Sequence, residues 1–241
     1  TLVEGDQAIV VDPGEAKPII EAFGAKNLDL KSIIITHHHF DHTGGVVELK
    51  EHFNCDVYGP SGGHIEGISS PLSDNEEFDL LGKKFIALHT PGHTLDQLAY
   101  YSEEACPDPI LFCGDTLFSA GCGRIFEGTP LQMHDSLLRF ANLPDNTKVY
   151  CGHEYTQSNL AFAVTVEPDN QFIHDKIKEV NKLRDQDKVT LPSDIASELK
   201  INPFMRCEES SVVDAATEYS GQEPKEPHEV LRVIRDWKDN F

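Results

Sequence analysis

The sequence predicts an α+β domain over residues 1–155 followed by a smaller, all-helical domain over residues 156–241. Three observations predict it. Up to Tyr155, short β-branched apolar runs bounded by Gly, Pro and Asp alternate with stretches of helical periodicity. Beyond Tyr155 the spacing is helical throughout, punctuated by Pro168, Pro192, Pro203, Pro224 and Pro227. At 241 residues, 39% of them hydrophobic, the chain has material for one large core or two modest ones.

Leu2-Val3 and Ala8 to Val11 read as strands, the second running into an Asp12-Pro13-Gly14 turn. Glu15 to Ala25 reads as a helix, and Ser32-Ile33-Ile34-Ile35 as a buried strand. Val46 to Phe53 is helical, with Thr43 available as its cap. Cys55 to Gly59 is a short strand, and residues 60–75, rich in Gly, Ser and Pro, are a loop in which His64 reads as a solvent residue. Lys84 to His89, Leu98 to Tyr101 and Ile110 to Cys113 are further strands. A helix over Leu131–Ala141 and the strand Val149–Cys151 complete the first domain. Helices are expected over 159–166, 170–187, 193–199, 210–217 and 229–240 in the second. The chain is strand-like from Thr1 and lacks a leading Met, so a few residues are expected to precede it.

Between the Ile33 strand and the next helix lies Thr36-His37-His38-His39-Phe40-Asp41-His42-Thr43-Gly44-Gly45. Residues two apart in an extended chain point the same way, so His37 and His39 can converge on one ion. Asp41 and His42, past the bend, can aim at a second point nearby. A surface loop or a purification tag would have no buried strand leading in, no interleaved aspartate and no Gly-Gly leading out. Three more strands end in Gly beside a potential ligand: His93, Asp115 and His153. Each alone reads as an ordinary loop or core residue. Together they place imidazoles and carboxylates at four strand ends, where sites are assembled on a rigid scaffold. This donor set suits zinc, and also iron or manganese. Seven ligands can fill two sites if one carboxylate bridges, with the ions about 3.5–4 Å apart. Water in such a site has a pKa near 7, which points to metal-assisted hydrolysis.

Composition narrows the partners. The net charge of −21 excludes nucleic acid and anionic membrane surfaces, both of which need a basic face. No run approaches the roughly 18 apolar residues of a membrane span, and no basic N-terminus precedes an apolar segment. The six cysteines (55, 106, 113, 122, 151 and 207) contain no C-x-x-C pair and are expected reduced, in a cytoplasmic protein. Cys122, between two glycines, reads as a small residue in a tight loop; an exposed thiol is the alternative.

The run T-H-H-H-F-D-H-T-G-G, with T-P-G-H-T, F-C-G-D-T-L-F and Y-C-G-H-E-Y, resembles the metallo-β-lactamase superfamily. Together with G-C-G-R-I-F-E-G-T and N-P-F-M-R, it resembles the glyoxalase II (hydroxyacylglutathione hydrolase) family over essentially the whole chain. The resemblance implies a four-layer αββα sandwich that carries two divalent metals, zinc before iron or manganese, and a helical domain that helps bind glutathione. It implies that His37, His39 and His93 hold one metal and Asp41, His42 and His153 the other. Asp115 would bridge them, Asp41 and Asp115 being the catalytic carboxylates. The implied reaction is hydrolysis of S-D-lactoylglutathione to glutathione and D-lactate by a monomer.

Substrate contacts are implied for Arg124, Phe126, Tyr155, Arg235 and Lys238. The last helix also reads independently: Val230, Ile234, Trp237 and Phe241 form an apolar stripe beside a basic one of Arg232, Arg235 and Lys238. The bland reading of that basic stripe is a solvated helix face. Phe126 stands where many members carry tyrosine, and Leu95-Asp96-Gln97 where relatives often read Leu-Gly-His. Three rivals remain. A β-lactam hydrolase is disfavoured by His42 and by the lack of an export signal. A persulfide dioxygenase with one iron would need only His37, His93 and Asp115, and no helical tail. A degenerate binding protein would not keep a full ligand set.

Overall fold

The computed structural model describes residues 1–241. Two compact units emerge from the packing. The first comprises Thr1–His89 and Asp96–Gly114, the second Thr90–Leu95 and Asp115–Phe241. This division follows contacts, and differs from the change of sequence texture near Tyr155.

The first unit opens with β1 (Leu2–Glu4) and β2 (Gln7–Val11), an antiparallel pair. Helix α1 (Lys17–Lys26) then crosses to β3 (Asp29–Ile34), and α2 (Phe40–Thr43) and α3 (Val46–Phe53) lead to β4 (Asp56–Pro60). Strand β5 (Ser70–Leu72) closes the sheet, in the order β1-β2-β3-β4-β5, with β2 to β5 parallel. Parallel neighbours require crossovers; helices supply them from β2 to β3 and from β3 to β4, and the loop over residues 61–69 supplies the one from β4 to β5. The loop expected over 60–75 therefore contains a short strand. Pro71 suits that edge position, where no ladder donor is needed. Four antiparallel strands make a second sheet: β6 (Glu77–Leu80), β7 (Lys83–His89), β8 (Leu98–Ser102) and β9 (Ile110–Gly114).

Alternation along β3 explains the layering. Ile33 and Ile35 pack with Phe23, Val46 and Leu49 on the helical side. Ile34, pointing the other way, joins Ile9, Phe85, Ala87, Tyr100 and Phe112 on the facing sheet. Helices, sheet and sheet are thus stacked in three layers, with fully buried aliphatic and aromatic side chains at both joints.

After its Thr90–Leu95 segment, the second unit continues with the hairpin β10 (Leu117–Phe118) and β11 (Gly121–Cys122), followed by α4 (Pro130–Ala141) and β12 (Lys148–Cys151). A capping box between Thr129 and Gln132 starts α4. Next come α5 (Thr156–Val166), α6 (Gln171–Arg184), β13 (Ser193–Asp194), α7 (Ile195–Ile201), a 3₁₀ turn (Pro203–Met205), α8 (Ser210–Ser220) and α9 (Pro227–Asp239). Ser193–Asp194, expected to be helical, instead pairs with β12, and Asp194 caps α7 through Ser197 N. Buried polar side chains fasten the hairpin to the helices. Glu198 accepts from Ala120 N at 2.8 Å, Asn202 Nδ2 donates to Gly121 O at 2.9 Å, and Asn159 Nδ2 donates to Ser119 O at 3.0 Å. No helix is long and apolar enough to cross a membrane.

Candidate metal centre

The ligand-rich loop leaves the C-terminal end of β3, beside the end of β2. The two strands are parallel, with Val11 opposite Ile34, so Asp12 emerges next to Thr36. The Asp12 carboxylate accepts from Thr36 N and from Thr36 Oγ1, each at 2.7 Å. Its Oδ2 also accepts from His42 Nδ1 at 2.9 Å. Because Nδ1 of His42 carries that proton, the neutral ring presents its lone pair at Nε2, which lies 3.7 Å from Asp41 Oδ2. Thr36 Oγ1 donates its hydrogen to Asp12, so it accepts from His37 Nδ1 at 3.0 Å. The lone pair of His37 is therefore also on Nε2, which faces His39 Nδ1 at 3.0 Å. Two donors on one tetrahedral zinc lie roughly 3.3 Å apart. His37 and His39 converge as their spacing predicts.

The path of this loop depends on glycine. A Cβ on Gly14 would strike the carbonyl oxygen of Asp41, and one on Gly45 would lie 2.7 Å from Ala16 N. Thr43 does not cap α3: it donates to His39 O at 3.1 Å, inside the preceding turn, and Gly45 stands at the N-cap without a side-chain bond. The backbone path, not a cap, starts that helix.

In the second unit, His93 Nδ1 donates to Arg124 O at 2.8 Å, leaving Nε2 as the lone-pair nitrogen. That Nε2 lies 3.6 Å from Asp115 Oδ2, and His153 Nε2 lies 3.6 Å from the same oxygen. A carboxylate oxygen equidistant from two imidazole nitrogens is compatible with a ligand shared by two ions. Gly123 permits it, since a Cβ there would strike Asp115 O. Tyr155 stacks on His153, with centroids 5.1 Å apart and planes at 17°, and Phe126 lies 5.3 Å from the His93 ring.

The basic residues divide. Arg124 is 62% exposed and meets Asp239 at 3.3 Å. Lys238 is partly buried, 5.1 Å above the Phe162 ring; burial first, and then the charge of Arg235, bring its pKa down to about 8. Arg235 is buried: Nη1 donates to Cys122 O at 2.9 Å, Nη2 to Asp239 Oδ1 at 2.9 Å, and the guanidinium lies 5.0 Å over Phe204. For Arg235, then, the solvated-face reading does not hold. Cys122 is buried as well, which raises its thiol pKa, and the exposed-thiol alternative falls with it. All six cysteines are free. Gln97 is buried and donates to Cys113 O at 3.0 Å.

Sequence reasoning missed Asp12. Read as part of a turn, it is the carboxylate that fixes the His42 tautomer and anchors Thr36. The available signal was an acidic residue at the end of a strand adjacent and parallel to the ligand-bearing one.

Residues 1–153 match the metallo-beta-lactamase superfamily, and residues 154–241 match the hydroxyacylglutathione hydrolase C-terminus. The hydroxyacylglutathione hydrolase of Pseudomonas paraeruginosa is 53% identical over 234 residues, spanning 96% of this chain and 90% of that protein. The enzyme of the same name from Idiomarina loihiensis is 44% identical over 98% of this chain and 91% of its own length. The crystal structure of ETHE1 from Myxococcus xanthus superposes with a TM-score of 0.66 at 24% identity, over 98% of this chain and 84% of that one, a likeness of fold.

Proposed function

Because the chain belongs to the hydroxyacylglutathione hydrolase family, with a metallo-β-lactamase fold and the family's helical C-terminal region, we propose that it hydrolyses S-D-lactoylglutathione to glutathione and D-lactate. His37, His39 and His93 would hold one divalent ion and Asp41, His42 and His153 a second, with Asp115 as the carboxylate available to both. Zinc comes first, with iron or manganese as alternatives. Each triplet has the donor chemistry of a metal site. The observation that carries the reading is Asp115 Oδ2, 3.6 Å from both His93 Nε2 and His153 Nε2. Hydrogen bonds to Asp12 and to Arg124 O hold the Nδ1 protons of His42 and His93, so their Nε2 atoms are ready to ligate.

When bound, the metal pair supplies a water of pKa near 7 and Lewis acidity toward the thioester carbonyl. The chain's own residues do the rest. Arg124 and Lys238 offer positive charge to the glutathione carboxylates, and Arg235 adds its field from behind. Tyr155, stacked on His153, is proposed to meet a glutathione carboxylate, and Phe126, beside the His93 ring, to contact the substrate. Phe126 has no hydroxyl, so it orients by packing alone. Residues 1–155 form the catalytic domain and 156–241 the substrate-binding domain, a division supported by the family matches that meet at 153 and 154. Cytoplasmic location, a monomeric state and the absence of nucleic-acid or membrane partners belong to the same proposal. The one-iron persulfide dioxygenase is less well supported, since residues 154–241 match the hydrolase's helical C-terminus.

Thiol release from S-D-lactoylglutathione by the metal-loaded protein, alongside metal analysis, tests the reading. Asp115→Asn removes a charge shared by both ions and is expected to lower metal content and cut turnover by several orders of magnitude. Near-normal turnover with both ions bound would remove Asp115 from the site. Oxygen uptake with glutathione persulfide in place of thioester hydrolysis would overturn the function.

A further inference from the structure

His38 sits between two ligand histidines in sequence but turns away from them. Its Nδ1 lies 3.0 Å from Asp96 Oδ1. The other carboxylate oxygen of Asp96 lies 2.8 Å from His64 Nε2. The two imidazole centroids are 5.4 Å apart, and the donor atoms of all three residues lie within 4.8 Å of one another. The Asp96 side chain is 9% exposed, that of His38 31% and that of His64 46%. The cluster is therefore rooted on a buried carboxylate and open to solution on its histidine side.

We infer that His38, His64 and Asp96 form a further binding site for a divalent transition-metal ion of the zinc class, separate from the centre described above. Two neutral imidazoles and one carboxylate are a complete protein ligand set for zinc, with solvent taking the remaining position. The ion would meet a net charge of about −1 from these side chains, enough to attract it, with two nitrogen donors to select it over magnesium or calcium. Donors on a tetrahedral ion lie roughly 3.3 Å apart; the Asp96 contacts, at 3.0 and 2.8 Å, are a little shorter than that and the two imidazole donors lie within 4.8 Å, so a local readjustment of the three side chains admits an ion. The change falls on the part best able to make it. His64 follows Gly62 and Gly63, whose φ values of 138° and 74° are open to glycine and strained for other residues. On binding, His38 ligates through Nδ1 and His64 through Nε2, each ring carrying its single proton on the opposite nitrogen. The hydrogen bonds to Asp96 are thereby exchanged for metal bonds.

Zn²⁺ titration of the full-length, metal-loaded protein by equilibrium dialysis tests the site, comparing wild type with His64→Ala and Asp96→Asn. Wild type is expected to bind one equivalent more than either variant, in a weaker step than the first. Both variants should keep the tighter equivalents and wild-type thioester hydrolysis. The comparison is a difference between proteins. If the proposed two-ion count is wrong, the tight equivalents change alike in all three, and the extra one still separates wild type from variants. Equal equivalents in all three proteins overturn the site and leave His38-Asp96-His64 as a fastener between loops. Co²⁺ absorption gives a second readout: a new visible band on the last equivalent is expected in wild type alone, and its presence in His64→Ala also overturns the inference.

Discussion

Thr36 N, Thr36 Oγ1 and His42 Nδ1 all direct their protons at the Asp12 carboxylate. Asp12→Asn removes its charge and one acceptor, so His42 loses the bond that fixes its tautomer. Losing such an outer partner lowers metal affinity about 10- to 100-fold, which competition with a chelator will measure. Unchanged affinity would make Asp12 a loop anchor only. The candidate ligands were legible in the sequence because their chemistry is local: His37, His39, Asp41 and His42 lie within six consecutive residues. Asp12 was not, because its role depends on β2 lying parallel to β3. Lys238 carries a second prediction at this scale. Its pKa of about 8 lies below the ordinary 10.5, with burial the main cause. In that window the unfolded chain keeps a proton the folded chain has lost, so this residue makes stability rise with pH from about 8 to 10.5. The charge offered to substrate moves the opposite way. The KM for the glutathione thioester is therefore expected to climb above pH 8 in wild type, and to be already high and flat in Lys238→Gln.

Helix α9 shows how far periodicity reaches. Of the apolar stripe read over Val230, Ile234, Trp237 and Phe241, the first two are buried and Trp237 is half-buried, but Phe241 is exposed, and Leu231 and Val233 are buried beside them instead. The basic stripe beside it does not behave as one surface. Arg235 turns inward because the hairpin carbonyl of Cys122 awaits it, 113 positions away in sequence, and the Phe204 ring covers it. No local pattern encodes that partner. Arg235→Met keeps the stem's apolar packing while leaving Cys122 O and Asp239 short of a donor. A charged hydrogen bond contributes about 1.5–3 kcal/mol, so a loss of that order in urea unfolding is expected, toward the low end because Asp239 is partly exposed. Lys238→Ala should act differently. In its proposed role it meets a part of the substrate whose charge is constant through the reaction, so about a 10-fold rise in KM with kcat nearly unchanged is expected. A small thioester without the tripeptide should not distinguish Lys238→Ala from wild type. An unchanged KM for the glutathione thioester would make Lys238 a solvated residue.

Across the whole chain, a net charge of −21 repels the anionic substrate that Arg124 and Lys238 are proposed to hold. The two effects act over different distances. Raising ionic strength from about 0.01 to 0.15 M shortens the Debye length from about 30 to about 8 Å, which silences distant acids and leaves contacts of a few ångströms largely intact. Added salt over that range is expected to raise kcat/KM modestly; a steep fall would mean that long-range attraction to the basic residues dominates. The switch from mixed to helical texture near Tyr155 was legible, and the family matches meet within two residues of it. Strand β5 was not, because three residues with a proline at their centre carry too little pattern to distinguish an edge strand from a loop.

The loop that carries His37 to His42 is shaped from outside itself, by a missing Cβ at Gly14 facing the Asp41 carbonyl and another at Gly45 against Ala16 N. In a library of every single substitution, selected for turnover, positions 14 and 45 should be depleted as sharply as the histidines, although neither side chain can ligate anything. Attempts to retune this centre for another metal therefore have more freedom in the donors than in the two glycines.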